Sequence, residues 1–310
     1  MQSLYRNYRP KTFKDVVGQD HVTKTLENQI KNGRVSHAYL FCGTRGTGKT
    51  SVAKIFASTL AKDFDIFEID AASNNSVQDV RDVIEKVKYP PVQSKYKVYI
   101  IDEVHMFSSS AFNAFLKTLE EPPAHVIFIL CTTEPQKLLP TVQSRCLRFD
   151  FRSVSQENLE KHIANILKKE KTAATPEAIK MLATAGCGSV RDALSFTETV
   201  MNYCGEREIT QADVSLVLGT VSTDLLKDLL DSITKADTSK IVKHVDEIFK
   251  RGINTNMLVK NFIDVIKTDF LKNPKTYGKI LQIFCELEFT IKNSTDPRTH
   301  FENSCLLAVI

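Results

Sequence analysis

Eight consecutive residues carry the strongest chemical signal in the chain: Gly43-Thr44-Arg45-Gly46-Thr47-Gly48-Lys49-Thr50. Their pattern is GxxxxGK[ST]. The glycines let the backbone curl so that N–H groups point inward at phosphate oxygens, and a helix opening after them adds the positive end of its dipole. Lys49 is placed to reach the β- and γ-phosphates of a nucleoside triphosphate, and the Thr50 hydroxyl to ligate Mg²⁺. Further along, the apolar run Val98-Tyr99-Ile100-Ile101 ends in Asp102-Glu103. Asp102 is suited to hold Mg²⁺, directly or through water. Glu103 is suited to polarise an attacking water as general base.

Three further positions have two readings each. Thr132-Thr133 ends the apolar run Val126–Cys131; its hydroxyls contact a γ-phosphate or the attacking water, or simply end a strand. Arg145, in Ser144-Arg145-Cys146, is a surface ion pair or a cation aimed at a phosphate. Arg191, in Gly188-Ser189-Val190-Arg191-Asp192, has the same two readings, a surface ion pair or a cation for a phosphate; its place at a helix start, against the helix dipole, favours an anionic partner. Helix starts at Asn74-Asn75-Ser76 and Ser109-Ser110 offer backbone N–H groups to nucleic-acid phosphates or are caps, giving Asn75, Ser76, Ser109 and Ser110 as candidate DNA contacts.

The elements that must position these groups are legible from the apolar pattern. Ala38–Cys42, Ile66–Ile69, Val98–Ile101, Val126–Cys131 and the weaker Leu147–Phe151 are short runs rich in Val, Ile, Phe and Tyr. They do not alternate with polar residues, which predicts strands buried on both faces of a parallel sheet. Helices are expected at Thr50–Ala61, Ser76–Lys88 and Ser110–Glu120, so residues 1–151 form an α/β domain with a central parallel sheet. After Phe151 the pattern becomes helical. Leu159, Ile163, Ile166 and Leu167 share a face, Thr175-Pro176-Glu177 starts a second helix, Gly186-Cys187-Gly188 breaks it, and Ser189–Tyr203 resumes. Thr210-Gln211-Ala212-Asp213 fits a capping box. These make an all-helical unit of about three helices over residues 152–219. Gly219–Ser222 reads as a linker, and residues 223–310 give four more amphipathic helices forming a second all-helical domain.

Composition excludes several classes. The 310 residues are 25% charged and 42% hydrophobic, an ordinary globular balance. Uncharged apolar runs reach only six residues, as at Val126–Cys131, far short of a membrane span, so no membrane partner is expected. Met1–Phe13 has no apolar stretch of the kind a secretory signal carries. A net charge of +4, from 41 Lys+Arg against 37 Asp+Glu, does not by itself mark a nucleic-acid binder. Seven cysteines without a CxxC pair predict buried thiols in a reducing compartment and no local zinc knuckle.

Taken in order, these motifs resemble the AAA+ clamp-loader ATPase family of bacterial DNA polymerase III gamma/tau subunits. The likeness runs from Tyr8-Arg9-Pro10-Lys11-Thr12-Phe13, Asp15–Gln19 and His37–Phe41 through the phosphate loop, Glu68–Ser73 and Ile101–Met106. It continues through Phe112–Pro123, Thr132–Leu138 and Ser144–Cys146 to Gly188–Ser195. It implies ATP and Mg²⁺ as ligands, with Lys49, Asp102, Glu103 and Arg145 catalytic and Thr50 and Asp102 on the metal. Tyr8, Arg9, Pro10, Val16 and Val17 resemble the segment that packs on the adenine. Gly43, Thr44, Arg45, Gly46, Thr47, Gly48, Lys49 and Thr50 would surround the phosphates, Thr133 would be the first sensor and Arg191 the second. Arg145 resembles an arginine finger acting on ATP held by a neighbouring subunit; in the sequence the strand ending at Thr133 stands between it and the phosphate loop. The expected fold is a P-loop AAA+ domain, a helical lid and a helical collar.

The implied function is that of a motor subunit in a hetero-oligomeric, pentameric-type ring. That ring would open a sliding clamp and load it on primer–template DNA in the bacterial cytoplasm. Such a subunit is part of the DNA-directed DNA polymerase holoenzyme, a nucleotidyltransferase complex, without being the polymerase. Another AAA+ motor of the branch-migration type, or a non-catalytic scaffold subunit, is the alternative; the complete phosphate loop, Glu103 and Arg191 speak against a scaffold. One departure stands out. Family members commonly carry a four-cysteine zinc module after the phosphate-loop helix, whereas here Leu60–Ile66 runs straight through, so no zinc is expected.

Overall fold

Strands at the centre of a parallel sheet have no solvent face, and the sequence supplies them with unbroken apolar runs. The computed structural model describes residues 3–219, 221, 223–250, 253, 255–291 and 294–309. It contains five strands: β1 (Ala38–Cys42), β2 (Ile66–Asp70), β3 (Lys97–Asp102), β4 (Val126–Thr132) and β5 (Leu147–Asp150). All pair in parallel, in the order β2-β3-β4-β1-β5. The central three are buried throughout but for Asp102. The edge strands β2 and β5 depart from the expected two-sided burial, with Leu147 40% exposed and Phe149 the buried residue of β5. Each edge strand has a neighbour on one side only, so its outer groups reach water.

The chain forms two compact units, Met1–Lys169 with Gly186–Glu198 and Glu170–Ala185 with Thr199–Ile310. In the first, helices cover both sheet faces because successive strand residues point to opposite sides. Tyr39, Phe41, Ile100 and Ile129 pack with Val22 and Leu26 of α2 (Asp20–Lys31) and Val52 and Phe56 of α3 (Lys49–Leu60). Leu40, Tyr99, Ile101 and Phe128 pack with Val80 of α4 (Val77–Val87) and Phe112, Phe115 and Leu119 of α5 (Ser109–Glu120). Phe115 meets Phe128 edge-on at 5.0 Å, a geometry worth ~0.5–1.5 kcal/mol beyond burial. Short helices α1 (Leu4–Asn7) and α6 (Pro140–Gln143) precede Pro10 and β5. Residues 61–65 alone join α3 to β2. The unit is completed by α7 (Gln156–Lys169) and the first part of α9 (Val190–Cys204).

The second unit takes α8 (Pro176–Ala185), the end of α9 and α10 (Gln211–Leu218). It also takes α11 (Thr223–Thr234), α12 (Thr238–Lys250), α13 (Thr255–Asp269), α14 (Pro274–Thr290) and α15 (Pro297–Leu307). Helices α11–α15 share one core in which Phe262, Phe284 and Phe301 cluster. Residues 152–219 thus hold four helices rather than about three, and the C-terminal bundle a fifth, α15, capped by Asp296. Thr220 and Ser222 of the expected linker lie outside the described residues. Cys42, Cys131, Cys204 and Cys305 are buried thiols; Cys146 and Cys285 are half-buried, and Cys187 is exposed in the turn between Gly186 and Gly188. All seven are unpaired with one another. No described helix is long and apolar enough to cross a membrane.

The capping box at α10 is present as its sequence predicts. Thr210 Oγ1 donates to Asp213 Oδ2 at 2.7 Å, and the Asp213 carboxylate also meets Arg207 at 2.7 Å. The Thr210 hydroxyl and amide, with Arg207, hold the Asp213 carboxyl at about 2, below its ordinary 3.8. A depressed carboxyl stabilises the fold above its unfolded pKa and loses that contribution as pH falls through the folded one. Asp213→Asn is therefore expected to lower the denaturant midpoint at neutral pH. The difference from wild type should shrink below about pH 4 and vanish towards pH 2, which a pH series of unfolding curves measures.

Candidate functional site

The phosphate loop leaves β1 at the carboxyl edge of the sheet. Gly48 adopts φ 104° and caps α3, so the turn into the helix uses a left-handed backbone. Gly46, at φ 77°, is fixed by space as well: a Cβ there would sit 2.0 Å from Ser189 Oγ. Val190 N donates to Gly46 O at 3.0 Å, so the start of α9 is tied to the loop. Thr47 Oγ1 closes the curl by donating to Thr44 O at 2.8 Å. Lys49 is 5% exposed, and its ammonium donates to Gly43 O at 2.8 Å and Thr44 O at 2.9 Å. Burial lowers the Lys49 pKa, opposed by the nearby Glu103 and Asp102 charges.

The acidic pair and the threonines meet the loop because parallel strands end on one edge. Cys42 is level with Thr132 and Asp70 with Asp102. Thr50 Oγ1 donates to Asp102 Oδ2 at 2.8 Å, which puts the two expected metal ligands in contact. Glu103 takes a left-handed backbone, φ 48° and ψ 44°, a conformation costing a non-glycine residue ~1–3 kcal/mol. Its N–H donates to Asp102 Oδ1 at 3.1 Å, and its Oε2 accepts from Thr133 Oγ1 at 2.9 Å and Thr133 N at 3.3 Å. Oxygen donors paired across Thr50 and Asp102, beside a glycine cradle and a buried ammonium, fit a magnesium–nucleoside triphosphate.

The N-terminal candidates line up nearby. Arg9 Nε donates to Ser51 Oγ in the first turn of α3 at 3.1 Å. Tyr8 lies under the Lys169 ammonium at 5.6 Å, Val16 packs on the α2–α3 face of the sheet, and Pro10 and Val17 are half-buried. The Arg191 guanidinium lies 4.8 Å from the Tyr5 ring centroid. Thr44 and Arg45 are exposed at the loop tip.

Arg145 is elsewhere. It donates to Thr141 O at 2.7 Å and pairs with Glu120 at 2.6 Å. Leu147 is level with Tyr39, so Arg145 lies at the amino edge of the sheet, whereas Gly43 leaves at the carboxyl edge. The four strand residues between those levels span roughly 13 Å. β5 pairs directly with β1, so what separates Arg145 from the loop is distance along the strands and not the strand ending at Thr133. Asn75, Ser76, Ser109 and Ser110 are all exposed, but Ser76 Oγ is engaged with Asp79 at 2.6 Å as the cap of α4. The cap of α5 is Ser108, one residue before the expected start, and Ser108 N reaches Asn75 O.

Two positioning side chains were not singled out by the sequence. Gln19 is fully buried; its Nε2 donates to Arg152 O at 2.7 Å and Thr47 O at 3.3 Å, and its Oε1 accepts from Arg152 N at 3.1 Å. It joins the N-terminal segment, the phosphate loop and the exit of β5. His105 stands between Glu103 and Glu134. Their only local signal is a polar residue set directly beside an apolar or acidic motif.

Comparison with known proteins agrees along the chain. Residues 18–66 and 61–155 match the family model of the DNA polymerase III delta subunit. Residues 158–206 match the ATPase lid domain of the DNA polymerase III clamp loader subunit, and residues 209–273 match domain III of DNA polymerase III subunits gamma and tau. The DNA polymerase III subunit tau of Salmonella typhimurium is 41% identical over 287 residues, covering 86% of this chain and 44% of that protein. The subunit gamma of Buchnera aphidicola is 36% identical over 274 residues, covering 81% of this chain and 76% of that one. The chain thus spans about half the length of the first of these relatives. Among solved structures, the Thermotoga maritima RuvB Holliday junction branch migration motor superposes with a TM-score of 0.58 at 22% identity, covering 73% of this chain and 79% of that one. That likeness is one of fold.

The Gly46 contact yields a direct check. Gly46→Ala is expected to weaken nucleotide binding by roughly tenfold or more, on the scale of the ~1–3 kcal/mol that such backbone strain costs. Adding Ser189→Ala removes the Oγ clash but leaves the Ser189 and Arg191 Cβ atoms at 3.1 and 3.2 Å and the backbone strain, so recovery should be partial. Titration with a fluorescent nucleotide measures both.

Proposed function

The chain belongs to the gamma/tau family of DNA polymerase III subunits and has the fold of an AAA+ ATPase, and on that premise we propose that it is an ATP-driven clamp-loader motor subunit. The observation that carries this is the convergence of Lys49, Thr50, Asp102, Glu103 and Thr133 on one edge of the sheet. In this reading the loop Gly43–Thr50 and Lys49 bind the triphosphate, and Tyr8, Arg9, Pro10, Val16 and Val17 flank the adenine. Thr50 and Asp102 would hold Mg²⁺, which neutralises charge on the β- and γ-phosphate oxygens when bound. Glu103 takes the proton of the attacking water, and Thr133 reports the γ-phosphate to it through their shared hydrogen bonds. Arg191, carried by the helix tied to Gly46, contacts the phosphates from the lid.

The domain division 1–151, 152–219 and 223–310, as ATPase domain, lid and collar, is part of this proposal. So are assembly with other polymerase III subunits in a pentameric-type ring, a sliding clamp and primer–template DNA as partners, a cytoplasmic location and the lack of structural zinc. DNA contact through the adjacent starts of α4 and α5 rests on their exposure and their backbone N–H groups. Arg145, at the edge opposite its own phosphate loop, is suited to a nucleotide on another chain.

Two experiments test the reading. Glu103→Gln keeps the carboxyl's shape and removes the base; ATP should still bind while turnover falls by ~10²–10⁴. Loss of binding instead would make Glu103 structural. Arg145→Ala should leave ATP affinity of the isolated subunit unchanged and abolish clamp- and DNA-stimulated hydrolysis in the complex, since such a finger is worth ~10³–10⁵ in rate. Mixing Lys49→Ala chains with Arg145→Ala chains should restore part of the stimulated activity, because some interfaces then join an intact loop to an intact finger. No recovery at any ratio, with subunit exchange verified, rules out action in trans.

A further inference from the structure

We propose that His105 is a positioning residue for Glu103, an inference that rests on the reading of Glu103 as the general base. His105 lies in the 3-10 turn Val104–Met106 directly after the acidic pair, and its side chain is 6% exposed. A nearly buried imidazole needs polar partners, and here each nitrogen faces a carboxylate. Nδ1 is 3.4 Å from Glu103 Oε2 and Nε2 is 3.4 Å from Glu134 Oε1. Nδ1 also lies 3.0 Å from Thr132 Oγ1, which accepts the Glu134 N–H at 3.0 Å. The same Glu134 oxygen is paired with Lys137 at 2.9 Å. Glu134 thus has a cation of its own, and the Nδ1 side of the ring bears on Glu103.

The arrangement is asymmetric at the base. Thr133 Oγ1, Thr133 N and His105 Nδ1 all address Glu103 Oε2. None of these contacts uses Oε1. Fixing one carboxylate oxygen from the end of β4 and from the 3-10 turn leaves the other oriented to accept a proton from water. A general base depends on that orientation as much as on its pKa. His105 touches neither phosphate loop nor metal ligands in the described contacts, so it acts through Glu103.

The test compares His105→Ala, His105→Asn and His105→Gln with wild type in steady-state ATP hydrolysis, equilibrium ATP binding and thermal unfolding. His105→Ala should lower kcat about 10- to 100-fold, a fraction of what a general base supplies, with ATP affinity held within about twofold. The Asn amide occupies the place of Nδ1 and should recover most of kcat; the Gln amide reaches the place of Nε2 and should not. In Glu103→Gln chains, adding His105→Ala should cost nothing further, because the group it positions is already gone. Unchanged kcat in His105→Ala, equal behaviour of Asn and Gln, or an additive loss in the double variant overturns the proposal. All of these rates are read in the assembled complex with clamp and primed DNA, and a wild-type complex that binds but never hydrolyses ATP overturns the base assignment itself, and this inference with it.

Discussion

A buried ammonium must have its protons satisfied, and that requirement organises the carboxyl edge of the sheet in this molecule. Lys49 meets it through the Gly43 and Thr44 carbonyls. Both carbonyls turn inward only if the loop between them and the helix curls tightly, which demands a left-handed backbone at Gly46 and Gly48. The same curl exposes Gly46 O to Val190 N and leaves the space that Ser189 fills. The start of α9, the loop and the buried cation therefore form one mechanical unit. Burial lowers the Lys49 pKa, yet the adjacent carboxylates of Glu103 and Asp102 favour its charged form, so the acidic pair supports the buried cation.

The parallel sheet converts chain order into a functional geometry. Every strand ends at the same edge, so motifs distant in sequence arrive together: the loop after β1, Asp102-Glu103 after β3 and Thr133 after β4. Residues that precede strands arrive at the opposite edge, and Arg145 precedes β5. A single domain of this topology cannot bring both edges to one phosphate. At that edge Arg145 pairs with Glu120 and the Thr141 carbonyl, away from its own phosphate loop.

How much of this was legible beforehand depended on whether the determinant was local. The central strands β1, β3 and β4 matched their apolar runs closely because burial on both faces leaves no alternation to misread. β2 looked like the central strands in sequence, and β5 was set apart only by its weaker run; sheet order, a long-range property, decided that both would be half-open. The capping box at Thr210–Asp213 was readable because all of its atoms lie within four residues. Ser108 was missed as the cap of α5 because three consecutive serines offer equivalent chemistry and packing of Phe112 chose among them. α15 carries little periodic signal in its sequence, whereas α2 carries Val22 and Leu26 on one buried face, a period the sequence does display. Gln19 spans 133 residues to reach Arg152, and its partners are backbone atoms; a side chain whose partners are main-chain groups leaves no mark on the identity of the residues it binds.

Glu103 shows what such long-range contacts accomplish. Its left-handed backbone is unfavourable by itself, and the next residues form only a single 3-10 turn. One offset is local: the preceding Asp102 carboxylate accepts its N–H. The other is long-range, with Thr133 donating twice to its carboxylate. Charge-assisted hydrogen bonds of this kind are worth ~1.5–3 kcal/mol each, enough together to hold the strained conformer. The backbone twist turns the side chain away from the strand direction and across to the end of β4, where Thr133 stands. A relaxed, helical or extended Glu103 would send its carboxylate out along the strand or back over the sheet. The strain is thus the means by which the carboxylate that follows β3 meets the threonine that follows β4.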